Sequence, residues 1–226
     1  MRKISTVIYI VMKQVARILA EKLLKISAIN LQPANPFVWA SGWNSPIYTD
    51  NRKTLSYPDI RSFIKIELCR VVLEHFGRPD VVAGVATGAI AQGALVADTL
   101  GVPYVYVRST PKDHGLENLI EGNLKPGMKV VVVEDLISTG GSSLKAVEAI
   151  RNAGCEVLGM VAMFTYGFPI AEENFHKAGV ELITLSNYNA MLEAALETNY
   201  IQAADIDTLK EWRKDPANWT PIRTVE

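Results

Sequence analysis

Histidine and cysteine are scarce in this chain, with three and two residues among 226. No grouping of them has the spacing of a zinc site, so a structural or catalytic zinc centre is excluded. Cys69 and Cys155 stand in apolar helix or strand-edge settings. Buried free thiols are therefore expected, without a disulfide, in a reducing cytoplasmic compartment. Net charge is scarce too. With 23 basic and 24 acidic side chains the balance is -1, which argues against general nucleic-acid affinity or attraction to an anionic membrane. The apolar run near the N-terminus, Val7 to Val11, is too short to span a bilayer. It is also too short for a signal peptide, and Lys13, Gln14 and Arg17 follow it at once. A Walker phosphate loop, Gly-x-x-x-x-Gly-Lys-Ser/Thr, is missing as well. What is abundant is apolar residues, at 49% of the chain, enough for a sizeable core without staples. Any anion site must then be built locally.

One stretch has the makings of such a site. Val130 to Val133 are four consecutive β-branched residues, the pattern of a strand buried on both faces of a parallel sheet. Glu134 and Asp135 end the apolar run. Ser138, Thr139, Gly140, Gly141 and Ser142 follow as a short loop, and Leu144 to Ile150 reads as a helix. Glycines let the backbone approach a ligand, and the free amides of a helix start favour an anion. The acidic pair cannot serve a phosphate. It must face another part of the same ligand, such as sugar hydroxyls or a hydrated cation.

The rest of the chain supplies a scaffold. Met12 to Ile26 has apolar residues at helical spacing, and Met12 is a candidate biological start, with residues 1–11 an upstream extension. Phe37 to Ala40 and Ile47 to Arg52 read as two strands of a hairpin around Ser41-Gly42. Pro58-Asp59 opens a helix that Asp59 is expected to cap and that Gly77 ends. His75 and His176 fall at helix ends and are not read as ligands. Strands at Val81–Ala83, Tyr104–Val107, Val130–Val133, Val157–Phe164 and Leu182–Leu185 alternate with helices at 89–100, 144–152, 170–177 and 190–196. That alternation predicts an α/β fold with a central parallel sheet flanked by helices and ligands at the carboxyl ends of the strands. Three loops leave that edge: 84–88, 108–122 and 134–143. The expected division is an N-terminal helix and hood hairpin over 1–58, a core over 59–200 and a tail over 201–226.

The loop from Arg108 to Gly122 is long and polar. Arg108, Lys112 and His114 bring three possible cationic donors within seven residues, suited to a phosphate. A segment of this length in a compact domain often acts as a lid.

These features together carry a resemblance. Glu134-Asp135-Leu136-Ile137-Ser138-Thr139-Gly140-Gly141-Ser142 resembles the phosphoribosyl-diphosphate (PRPP) signature of the type I phosphoribosyltransferases. Arg108-x-x-x-Lys112-Asp113-His114-Gly115 resembles the catalytic loop of the orotate phosphoribosyltransferase family. Ser41-Gly42-x-x-Ser45-Pro46-x-Tyr48-x-Asp50 resembles that family's N-terminal hood. Three motifs occur in the family's order, and the resemblance runs from about Met12 to about Leu196.

The resemblance implies transfer of ribose 5-phosphate from PRPP to N1 of orotate, giving orotidine 5′-monophosphate and diphosphate in pyrimidine biosynthesis. It implies that the residues from Glu134 to Ser142 hold PRPP, with the two acids on the ribose hydroxyls and the loop on the 5′-phosphate. Ser138 would contact orotate, as would Tyr48 and Arg52. Arg108, Lys112 and His114 would act on the diphosphate from the lid, reaching across a homodimer interface. Mg²⁺ would arrive on PRPP with no protein ligand assigned. No nucleic-acid or membrane partner is implied.

The chain departs from the family pattern at Ser109 and Ala40, where many members carry Lys, and in 164–168, where some carry an Arg for the substrate carboxylate. Adenine and other base phosphoribosyltransferases share the acidic pair and loop, whereas the lid and hood favour orotate. A PRPP-sensing regulator on the same fold would be expected to add a DNA-binding domain and a basic face.

Overall fold

The computed structural model describes residues 6–39, 42–110 and 119–220. In chain order the elements are α1 (Thr6–Lys25), β1 (Ile29–Leu31), β2 (Phe37–Val38), β3 (Asn44–Ser45), β4 (Ile47–Thr49), a 3-10 helix (Asn51–Ser56) and α2 (Pro58–His75). They continue with β5 (Val81–Val85), α3 (Ile90–Leu100), β6 (Tyr104–Val107), β7 (Ile120–Glu121), β8 (Lys129–Ile137) and α4 (Gly141–Asn152). The last are β9 (Glu156–Thr165), α5 (Pro169–Ala178), β10 (Leu182–Asn187), α6 (Tyr188–Glu197) and α7 (Asp205–Lys214). Contacts divide the chain into one unit of residues 55–185 and another of 1–54 with 186–226.

The 55–185 unit is built on a six-stranded sheet of order β10-β9-β8-β5-β6-β7. β5 runs parallel to β6 and to β8, β8 runs parallel to β9, and β7 returns antiparallel to β6. The expected central parallel sheet is therefore present. Val130 to Val133 are fully buried, as are Val81, Val82 and Ala83. Each such valine contributes roughly 1.5–3 kcal/mol relative to an exposed position. Helix α2 turns Ile60, Ile64, Leu68, Val71 and Val72 inward, as its apolar stripe predicts. Both cysteines are buried and free.

The 1–54 and 186–226 unit has a different core. Helix α1 packs against α6, and the buried Ser186 hydroxyl donates to the Ala16 carbonyl at 2.7 Å. Trp212 of α7 is fully buried, edge-on to Trp39 at 5.6 Å, and its indole N–H donates to the Asn44 carbonyl at 3.2 Å. The C-terminal helix thus covers the small strands of its own unit.

Four local expectations are corrected. β2 pairs with β3, not with the strand at Ile47; that strand, β4, pairs instead with β1, where no strand was expected. The cause is Pro46, which has no amide to continue a ladder and divides the strand in two. Ser45 bridges the break, its hydroxyl donating to the Ile47 carbonyl at 2.8 Å and accepting the Ile47 amide at 3.2 Å. Asp59 makes no cap: Tyr57 holds the cap position without a side-chain bond, and Pro58 removes one amide from the count. Asp59 sits in the first turn, where its charge still favours the helix dipole. The 108–122 segment is not all loop, because β7 closes a hairpin stem on β6. Finally, the acidic pair does not end β8. The strand runs on to Ile137 because β9 extends alongside it to Thr165 and offers backbone partners throughout. The loop shrinks to Ser138, Thr139 and Gly140.

Candidate active site

β5, β6 and β8 are parallel, so the segments that follow them emerge at one edge of the sheet. At the end of β8 the carboxyls of Glu134 and Asp135 lie against each other, within hydrogen-bond reach. Glu134 is buried at 4% exposure, and Asp135 is half-buried. Both oxygens of Glu134 are engaged. Oε1 accepts the Asp135 amide at 2.9 Å, and Oε2 accepts the Ser143 hydroxyl at 2.8 Å. Burial, reinforced by the neighbouring Asp135 carboxylate, pushes the Glu134 carboxyl well above the usual carboxylate range.

The loop that follows is an elbow. Gly140 has φ +81° and caps α4, and a Cβ there would lie 2.7 Å from the Phe175 ring. Only glycine fits that combination of left-handed backbone and close approach. Asn174 supports the loop from α5, its amide donating to the Thr139 carbonyl at 3.0 Å. No side chain caps α4, and its first turn carries no acid. The amides of Gly141, Ser142 and Ser143 thus form an uncompensated positive helix end, directed at the edge where Asp135 stands.

The turn after β5 closes on the same place. A Cβ at Gly88 would overlap the Asp135 carboxylate, so this residue must be glycine for the turn and the acid to meet. The Ala86–Thr87 peptide bond in this turn is cis. Arg108, at the end of β6, binds the far side of the stem: its amide donates to the Leu119 carbonyl at 2.8 Å, and its guanidinium lies 3.5 Å from Glu121. Lys112 and His114 lie outside the described residues, as does Ser41 of the hood.

Of the residues expected to bind orotate, Ser138 stands in the elbow, while Tyr48 and Arg52 belong to the other unit. Tyr48 is exposed and lies 5.6 Å from the Phe37 ring. The Arg52 Nε donates to Asp50 at 2.7 Å, and this bond holds the Asp50 carboxyl below its ordinary range. Two residues escaped the sequence reading as site components, Gly88 and Ser143. Gly88 lay in a noticed turn, but its closeness to Asp135 is a long-range contact. Ser143 was legible only as one more hydroxyl after the glycines.

Among the described residues no group of three or more His, Cys, Asp or Glu could hold a metal ion, and no helix is long and apolar enough to cross a membrane. An acid-bearing strand end, a glycine elbow and a bare helix start meet at one edge of the parallel sheet, chemistry suited to a sugar phosphate. The phosphoribosyl transferase domain family matches residues 64–196, more than half of the chain, which belongs to that class. An orotate phosphoribosyltransferase of Bacteroides thetaiotaomicron is 73% identical over 92% of this chain and 98% of its own length. The orotate phosphoribosyltransferase from Aeropyrum pernix has a solved structure that superposes with a TM-score of 0.71 at 32% identity, over 81% of this chain and 99% of its own. The UMP synthase of Leishmania donovani gives a TM-score of 0.73 at 27% identity, over 88% of this chain and 42% of that one. Within its class, the chain belongs to the orotate phosphoribosyltransferase family.

Proposed function

We propose that this protein transfers the phosphoribosyl group of PRPP to N1 of orotate, releasing diphosphate and forming orotidine 5′-monophosphate for pyrimidine synthesis. The observation that carries the reading is the β8–α4 elbow, where a carboxylate and a bare helix start face one edge. Amides of Gly141 and Ser142 and the hydroxyls of Ser138, Thr139 and Ser142 take the 5′-phosphate. Leu136 and Ile137 carry the strand that delivers them. Asp135, backed by Glu134, takes the ribose hydroxyls.

Displacement at the ribose C1 puts positive charge on the sugar and negative charge on the departing diphosphate. Arg108, Lys112 and His114 stabilise that departing charge where it develops, from a lid shared across a homodimer. Ser138 orients orotate in the elbow, with Tyr48 and Arg52 of the hood as further contacts. Mg²⁺ would arrive on PRPP, with no protein ligand assigned, and would neutralise charge on the diphosphate. In this reading 59–200 is the catalytic core, 1–58 the helix and hood, and 201–226 the tail. Two buried free thiols fit a reducing cytoplasm.

The test is diphosphate release from PRPP and Mg²⁺ with orotate, uracil, adenine and hypoxanthine in parallel. Turnover with orotate alone is expected; turnover with adenine and none with orotate would overturn the reading. In the same assay Lys112→Ala should lower kcat by about 100-fold, with a far smaller change in KM for PRPP. A variant with near-normal kcat removes Lys112 from the chemistry.

A further inference from the structure

The described residues hold a side-chain bond whose consequence for the site reaches past the sugar-phosphate motif. Ser143 is 1% exposed, and its hydroxyl donates to the Glu134 carboxylate at 2.8 Å. The other oxygen of that carboxylate accepts the amide of Asp135 at 2.9 Å. A chain of two hydrogen bonds therefore runs from the first turn of α4, through one buried carboxyl group, to the backbone of the residue that faces the sugar. Helix α4 has Gly140 at its cap and no side-chain cap of its own. The Ser143–Glu134 bond takes over part of that task by anchoring the helix start to β8 from inside.

We propose that Ser143 is a positioning residue for PRPP, holding the phosphate-facing amides of α4 and the sugar-facing carboxylate of Asp135 at a fixed separation. This rests on the phosphoribosyl transfer proposed above. PRPP spans both groups at once, with its 5′-phosphate on the helix start and its ribose hydroxyls on the acid. Its binding therefore depends on the distance between two elements, β8 and α4, that the elbow joins through three residues. Orotate does not span that distance, so the effect of loosening it falls on PRPP. Ser143 also donates to the charged form of Glu134 and opposes the effect of burial, with Asp135 the charged group beside it. Removing the hydroxyl must then make Glu134 harder to ionise.

The experiment compares wild type, Ser143→Ala and Ser143→Thr in steady-state kinetics with each substrate varied against saturating partner, between pH 5.5 and 9. Thermal melting checks that each variant is folded. For Ser143→Ala, KM for PRPP should rise about ten-fold, the scale of one lost hydrogen bond to a charged group. KM for orotate should stay within about two-fold, well below the effect of one such bond. The acid limb of kcat/KM for PRPP should move to higher pH, a change that simple loosening of the fold does not produce. Ser143→Thr keeps the hydroxyl and should restore both values; it also carries the test if the alanine variant fails to fold. An unmoved acid limb with unchanged KM for PRPP overturns the proposal, as does an equal rise in KM for both substrates. A wild type that is inactive with PRPP and orotate would instead overturn the function reading.

Discussion

Two strand–turn–helix units lie side by side in the sheet. β5 leads through 86–89 to α3, and β8 leads through 138–140 to α4. Both strands are apolar and buried, and both helices start at the carboxyl edge. Their turns differ in what they leave available. The β8 turn is held open by a left-handed Gly140 and backed by Asn174 and Phe175, leaving its helix amides for an anion. The β5 turn is pressed onto Asp135 through Gly88, and the phenol of Tyr104 donates to the Ile90 carbonyl at 2.6 Å in the first turn of α3. In the proposed site one turn is the receptacle and the other is its wall. The same topology yields either, according to where glycine sits and which side chains press on it.

The largest effect should come from breaching the wall. Gly88→Ala forces Asp135 or its turn aside, and kcat/KM for PRPP should fall about 100-fold, the scale of a misplacement near 1 Å. Steady-state kinetics checks this, and a variant within about three-fold of wild type would show that Asp135 needs no such support. Next comes the receptacle. Gly140→Ala adds a left-handed penalty of roughly 1–2 kcal/mol and a collision with Phe175. Both the melting temperature and PRPP affinity should drop; a loss of stability alone would make the elbow a structural device only.

Third is Glu134, whose carboxyl is raised in the fold. Its protonated form is favoured by folding, so that stability is full below the unfolded value near 4.5 and is lost as pH rises through the folded value. Glu134→Gln should therefore melt higher than wild type at pH 8, with the advantage shrinking toward pH 4, while turnover falls. Equal melting gains at both pH values would dismiss the burial argument. The smallest effect belongs to the wall's own helix. Gln92 in α3 is 1% exposed, and neither polar atom of its carboxamide finds a partner among the described residues. Gln92→Leu should stabilise the protein by about 1 kcal/mol, read from chemical unfolding.

Much of the β8–α4 elbow was legible because its pattern is local. Glu134, Asp135 and the glycines are contiguous, and a valine run before them and a helix pattern after them declare a strand end and a helix start. The sheet itself followed from alternation. The small N-terminal strands were not legible, since two- and three-residue strands leave too little pattern to assign partners. Only the pairing of β4 with β1, across Pro46, settled them.

The sequence by itself determined that a valine strand, an acidic pair, a glycine turn and a helix follow one another, because periodicity and residue chemistry act over a few positions. Only the tertiary structure decided which acid is buried and braced, Glu134, and which stays partly exposed, Asp135. It also decided that Gly88 must be glycine and that Ser143 is tied to Glu134. The first is a contact between a turn and a strand end far apart in the chain and the second a contact across the elbow, and neither follows from local pattern.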